Sequence, residues 1–273
     1  MSTLDVLFLG DIVGKPGRRI VKNFLSEEIR SFERRPDFII ANAENASHGF
    51  GLTERNYNEL LDIGIDALTS GNHIWDKKEI FTYIDKADKL VRPLNYPQGS
   101  PGVGSRVFNV QNSSIVIINV LGRVFMAPVD SPWSALENEI KRIREEVRNP
   151  IIIIDFHAEA TAEKISLGYF ADNLGVSAVI GTHTHVQTSD EKILYNGAAY
   201  ITDVGYCGAY HSIIGMEINN SIKRLITNIP ERYDVAPIDK AELNAIKLSI
   251  NIENGRTERI ERIKYINEIN EVS

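Results

Sequence analysis

The chain has 273 residues, enough for one large core, and its 43% hydrophobic and 25% charged residues are the balance of a folded domain rather than a disordered chain. A formal net charge of -7 argues against a protein that binds duplex nucleic acid by neutralising many phosphates. No apolar run approaches the roughly 20 residues that span a bilayer, so no membrane partner is expected.

Residues 6–9 are a short apolar run closed by Gly10, which predicts a strand covered on both faces, with Asp11 at its exit. Residues 18–32 place Ile20, Val21, Phe24, Leu25 and Ile29 on one helical face, and 37–41 form a second buried strand ending at Asn42-Ala43-Glu44-Asn45. A glycine-bearing loop and a helix over 53–63 lead to a third strand at 66–70, which delivers Gly71-Asn72-His73-Ile74-Trp75-Asp76. A short helix over 77–88, irregular chain over 92–104 and a hairpin pairing 106–110 with 114–120 follow.

Next come a helix over 134–148 and the strand Ile151-Ile152-Ile153-Ile154, with Asp155-Phe156-His157 at its exit. A helix over 161–174 and a strand over 176–180 then reach Gly181-Thr182-His183-Thr184-His185. Beyond it, 193–194, 199–201, 233–236, 243–252 and 259–266 are expected to be mainly antiparallel strands, with a helix over 216–226. The fold class is therefore α/β, a two-sheet β-sandwich flanked by helices. It is expected to form a single domain over 1–273, and 92–104 and 207–230 are the stretches where a small lid or cap could lie. The single Cys207 can form no internal disulfide and reads as a small buried hydrophobe, which fits a reducing, cytoplasmic setting. Met1-Ser2-Thr3 is too short and uncharged a front for a signal peptide.

Five predicted strands end in groups able to bind a cation: Asp11, Glu44 with Asn45, Asn72 with His73, His157, and His183 with His185. In open α/β sheets ligands bind beyond the carboxyl ends of the strands, so these groups are expected on one edge. Asp11 and Glu44 brought together would repel unless a divalent ion lay between them. Two carboxylates, three imidazoles and amide oxygens exceed the needs of one tetrahedral site, and two ions roughly 3.5 to 4 Å apart would use them all. Oxygen and nitrogen donors without thiolate suit Mn²⁺ or Fe, and Zn²⁺ is also admitted.

Gly10-Asp11, Asn42-Ala43-Glu44-Asn45, Gly71-Asn72-His73, Asp155-Phe156-His157 and Gly181-Thr182-His183-Thr184-His185 resemble the ordered blocks of the calcineurin-like metallophosphoesterase superfamily. Within it, the chain is most similar to the YmdB-like family of 2',3'-cyclic-nucleotide 2'-phosphodiesterases, over nearly its whole length. Val13 stands where many superfamily members have a metal-binding His, and Glu44 replaces the usual bridging Asp; both departures are typical of the YmdB-like branch. The resemblance implies a four-layer α/β/β/α fold and two divalent or mixed-valence ions, Fe or Mn. One would be held by Asp11, Glu44, Asn45 and His185, the other by Glu44, Asn72, His157 and His183.

It further implies a hydroxide bridging the ions that opens a 2',3'-cyclic nucleotide to a 3'-nucleotide, with His73 either donating a proton to the departing oxygen or stabilising charge upon it. Asp76 is read either as orienting His73 or as a helix-start residue, and Phe125 and Tyr206 as core aromatics rather than base-stacking ones. His48 and His211 are read as polar loop residues, ordinary or supporting the ligands, and Arg18-Arg19 as helix-start surface cations that could face a phosphate but need no special role. The alternatives are a phosphomonoesterase or nuclease on the same metals, or a non-enzymatic metal-binding regulator. Enzymes of this size often self-associate, so a homo-oligomer is compatible with the sequence.

Overall fold

Two β-sheets pack face to face in the computed structural model, which describes residues 3–269; Met1 and Ser2, which open the N-terminal stretch weighed above, lie outside it. In chain order, β1 (Thr3–Leu9) and β2 (Asp11–Ile12) lead into α1 (Gly14–Ser26), followed by β3 (Phe38–Asn42), α2 (Glu54–Asp62) and β4 (Ala67–Thr69). The single-turn α3 (Ile80–Tyr83) precedes the hairpin β5 (Ser105–Val110) and β6 (Ser113–Leu121), then α4 (Pro132–Glu146), β7 (Ile151–His157), α5 (Thr161–Asn173) and β8 (Ala178–Thr182). The last part holds β9 (Lys192–Ile193), β10 (Ala199–Ile201), β11 (Tyr206–Ala209), α6 (Ile218–Thr227), β12 (Lys240–Asn251) and β13 (Thr257–Glu268).

The first sheet runs β2-β11-β12-β1-β3-β4, with β13 paired to β12; the second runs β5-β6-β7-β8-β10-β9. Alternation along the strands sorts their side chains into layers. Val6 and Phe8 of β1 meet Ile117, Ile153 and Ile180 of the second sheet, while Leu7 and Leu9 face Ile20, Val21 and Phe24 of α1. On the second sheet, Ile152 and Ile154 face outward to Leu136 and Ile140 of α4 and Leu167 of α5. Both faces of each central strand are thus covered, which is why these strands read as unbroken apolar runs. The result is the expected four-layer α/β/β/α arrangement.

Local departures from the sequence reading have identifiable causes. Helix α1 begins at Gly14, before the expected start, because Pro16 in its first turn lacks only an N–H that has no intrahelical acceptor. Residues 233–236 form no strand: Val235 makes only an isolated bridge to Met216. Instead β11, with its glycine and no apolar alternation, wedges between β2 and β12. Strand β10 runs parallel to β8 and antiparallel to β9, so the later strands are less uniformly antiparallel than expected.

The wedge matters for function. Gly10 N donates to Asn244 O of β12 at 3.0 Å, whereas the next amide, Asp11 N, donates to Gly205 O at 3.2 Å. The chain therefore changes neighbour within one residue, and a Cβ on Gly10 would collide with the Gly205 carbonyl. Among the described residues, no helix is long and apolar enough to cross a membrane.

Candidate metal centre

The carboxyl ends of β3, β4, β7 and β8, with β2, deliver the predicted residues to one edge between the sheets. His157 is the last residue of β7 and fully buried, and its Nε2 is the hub. Around that atom stand Glu44 Oε1 at 2.9 Å, Asn72 Oδ1 at 3.1 Å and His183 Nδ1 at 3.0 Å. On the other side of the ring, Thr182 Oγ1 donates to Asp155 at 2.6 Å and so is left to accept from His157 Nδ1 at 2.9 Å. That relay fixes the ring and commits Nε2 to the site, as partners of metal-binding imidazoles do.

His183 and His185 both occupy left-handed backbone, with φ of 99° and 62°, which non-glycine residues rarely adopt. The loop is held there because His183 N donates to Asp11 Oδ2 at 3.3 Å and Thr184 N donates to Asp203 Oδ2 at 3.0 Å. Asp203 is in turn paired with the buried ammonium of Lys164 at 2.7 Å. The strained turn brings both imidazoles to one side. His185 Nδ1 donates to Ile214 O at 2.9 Å, which turns Nε2 toward Asp11 Oδ1, 3.8 Å away.

Two buried oxygens, Asp11 Oδ1 and Asn45 Oδ1, have no hydrogen-bond partner. The Asn45 amide nitrogen donates to Gly49 O at 2.8 Å, so its carbonyl oxygen is the free end. Orphaned buried acceptors are costly, on the order of 1–3 kcal/mol each, and a cation would offset that cost. Ligating atoms of Glu44, His157 and His183 all lie within 4.8 Å of one another, and a Cβ on Gly71 would strike both Glu44 and His157. An acidic and imidazole donor set with orphaned oxygens fits divalent cations.

The electrostatics agree. Burial lowers the His157 pKa, but Glu44, Asp11 and Asp155 outweigh it and hold the imidazolium to about 9. Burial likewise raises Glu44, but His157 prevails and brings it down to about 2. Asp11 is pushed well up by burial, against the pull of His157. Burial and the neighbouring His157 press His183 down to about 3, and burial lowers His185, so both present neutral imidazoles suited to metal binding.

His73 stands at the rim: its backbone N–H donates to Glu44 Oε2 at 2.9 Å, and its Nδ1 meets Asp76 Oδ2 at 2.8 Å. Of the two roles weighed for Asp76, the contact to His73 is the one it makes. Phe50 lies edge-on to the His73 ring at 4.9 Å. Sequence reasoning missed Glu159, whose carboxylate lies 3.2 Å from His183 Nε2, and the Lys164–Asp203 pair beneath the loop. The signal for Glu159 was its place two residues beyond His157; a lysine buried inside a helix had none.

Tyr206 is buried and stacked on His185, with centroids 5.6 Å apart and an 8° interplanar angle, but Phe125 is 89% exposed on left-handed backbone, contrary to its reading as core. It lies in the loop between β6 and α4. Arg18 is no surface cation: it donates to Ala46 O at 2.6 Å and pairs with Glu59 at 3.0 Å, bracing the loop after Glu44. His48 and His211 are exposed in loops, and Cys207 is buried, its thiol pushed up by burial.

Comparison with known proteins adds to this geometry. The sequence profile of the family described as "YmdB-like protein" matches residues 7–263. A Bacillus subtilis protein named 2',3'-cyclic-nucleotide 2'-phosphodiesterase is 46% identical over 257 residues, covering 94% of this chain and 95% of that one. A crystal structure of a hypothetical protein from Thermus thermophilus superposes with a TM-score of 0.87 at 40% identity, covering 97% of this chain and 99% of the other. A structure described as a novel phosphatase from Mycoplasma pneumoniae superposes with a TM-score of 0.90 at 34% identity, covering 98% and 95%.

Proposed function

The chain belongs to the YmdB-like protein family, and from that membership we propose that it is a cytoplasmic, dinuclear metal-dependent phosphodiesterase opening 2',3'-cyclic nucleotides at the 2' oxygen. The observation that carries the proposal is the convergence of Glu44, Asn72 and His183 on Nε2 of His157, beside the orphaned oxygens of Asp11 and Asn45. In this reading Asp11, Glu44, Asn45 and His185 would hold one ion and Glu44, Asn72, His157 and His183 the other, iron or manganese. When bound, the ions supply Lewis acidity toward the phosphoryl oxygens and lower the pKa of water at the site.

The chain's own residues do the rest. Glu44 is held in place by the His73 amide on Oε2, and its Oε1 is the oxygen that faces Nε2 of His157. Asp76 engages Nδ1 of His73, so Nε2 is the atom free to deliver a proton. As a water oxygen bonds to phosphorus and releases one proton to solvent, the P–O2' bond breaks and His73 gives its Nε2 proton to the departing 2' oxygen, leaving a 3'-phosphate. Support for this substrate comes from the name of the Bacillus subtilis relative.

The test is a panel of 2',3'-cyclic AMP, 3',5'-cyclic AMP, a phosphomonoester and single-stranded RNA offered to the metal-loaded chain. The proposal expects the highest kcat/KM with 2',3'-cyclic AMP. Preference for the monoester would favour the phosphatase alternative. No turnover of any of the four would favour a metal-binding regulator.

A further inference from the structure

A cavity of about 500 Å³ opens beside the proposed centre, lined among others by Lys15, His48, Phe50, Lys77, Arg232 and Tyr233. It shares a wall with the site: Phe50 touches the His73 ring at 4.9 Å, and the 48–50 loop is tied to Asn45 through Gly49 O. Phe50 and Tyr233 lie 6.1 Å apart, edge to face, and Arg224 covers one face of Tyr233 at 4.3 Å. Arg232 is neutralised by Asp234 at 2.8 Å, but neither Lys15 nor Lys77 has an ion pair among the described residues.

In a chain of net charge -7, two unpaired ammonium groups beside two aromatic rings are chemically specific. A 2',3'-cyclic mononucleotide has only one phosphate, and the metal centre takes it, so these cations would meet no anion. A single strand running on from the cyclic ester brings both a base to stack and a further phosphate to pair, the combination that single-strand binding sites exploit. We infer that this cavity receives the nucleotide on the 5' side of the cyclic ester, and that the preferred substrate class is oligoribonucleotides ending in a 2',3'-cyclic phosphate. The inference rests on the phosphodiesterase reading and deepens it.

The test compares kcat/KM of the metal-loaded full chain for 2',3'-cyclic AMP and for an adenylyl dinucleotide ending in a 2',3'-cyclic phosphate, at low and moderate salt. The dinucleotide should be favoured by about tenfold or more at low salt, less as salt rises. The double variant Lys15→Glu/Lys77→Glu should bring the ratio of the two substrates to about one. The double variant Lys141→Glu/Arg148→Glu, on and just beyond α4 of the opposite helix layer, makes the same change of net charge and should leave the ratio as in the wild type; melting curves confirm that each variant is folded. Equal kcat/KM for both substrates in the wild type, or a dinucleotide preference that survives the double substitution, would overturn the subsite while the phosphodiesterase reading stood. Failure to open either cyclic ester would instead sink that reading, and the subsite with it.

Discussion

Asn42 at the end of β3 donates from its side-chain nitrogen to the Asp155 carboxylate of β7 at 3.0 Å, joining the two sheets directly behind the site. Thr69 of β4 and Thr182 of β8 donate to the same carboxylate at 2.5 and 2.6 Å. One buried acid therefore gathers the ends of four strands, two from each sheet, and Thr182 passes the constraint on to His157. Replacing Asp155 by Ala strands three buried donors and should cost about 2–4 kcal/mol. Denaturant unfolding checks this, and an unchanged midpoint would show that the network does not tie the sheets.

His73→Ala removes the proposed proton donor without removing a proposed ligand. It should keep the fold and bound metal but lose kcat by about 10²-fold or more, and Asp76→Ala should lose less. Elemental analysis beside steady-state kinetics separates this from the regulator alternative, in which His73→Ala changes nothing.

Asn45 offers an otherwise unpartnered oxygen, so Asn45→Ala should lower the metal-to-protein ratio while leaving the fold intact. Glu159→Ala removes the carboxylate that orients His183 and should weaken metal affinity by about 10–100-fold. Titration with Mn²⁺ after chelation measures both. Affinity equal to that of the wild type in Glu159→Ala would leave that carboxylate without a part in the site.

In the chelated protein His157 is held protonated to about 9, against an ordinary value of 6.5. A raised folded-state pKa means that this stabilisation is complete below pH 6.5 and is lost as pH rises through about 9. Asp11, raised by burial, acts in the same direction: its contribution is complete below the ordinary 3.8 and is lost as pH rises through its elevated pKa. The melting temperature of the chelated chain should thus fall between pH 6.5 and 9, and Glu44→Gln should flatten that slope by removing the chief partner of His157. A profile equally steep in the variant would contradict this account.

The strands and their exits were legible because both faces of each central strand are covered. Apolar runs such as Ile151-Ile152-Ile153-Ile154 stop where a polar ligand begins. Tyr206–Ala209 was not legible, since a four-residue strand with a glycine is specified by the gap between β2 and β12 rather than by its own pattern. Residues 233–236 carry strand-like side chains but have no ladder to join. At the site, the strand-end residues could be found by position, whereas Glu159 and the Lys164–Asp203 pair depend on how α5 and its neighbours lie over β8, which no local spacing encodes.

On the proposed reading, one edge of this sandwich hydrolyses a cyclic phosphodiester by breaking its bond to the 2' oxygen. Phosphorus NMR of 2',3'-cyclic AMP incubated with the metal-loaded chain tests it most directly. The 3'-phosphate should accumulate as the sole product, at a rate abolished by chelation and restored by Mn²⁺ or Fe²⁺. Accumulation of the 2'-phosphate, or a rate indifferent to metal, would contradict the account.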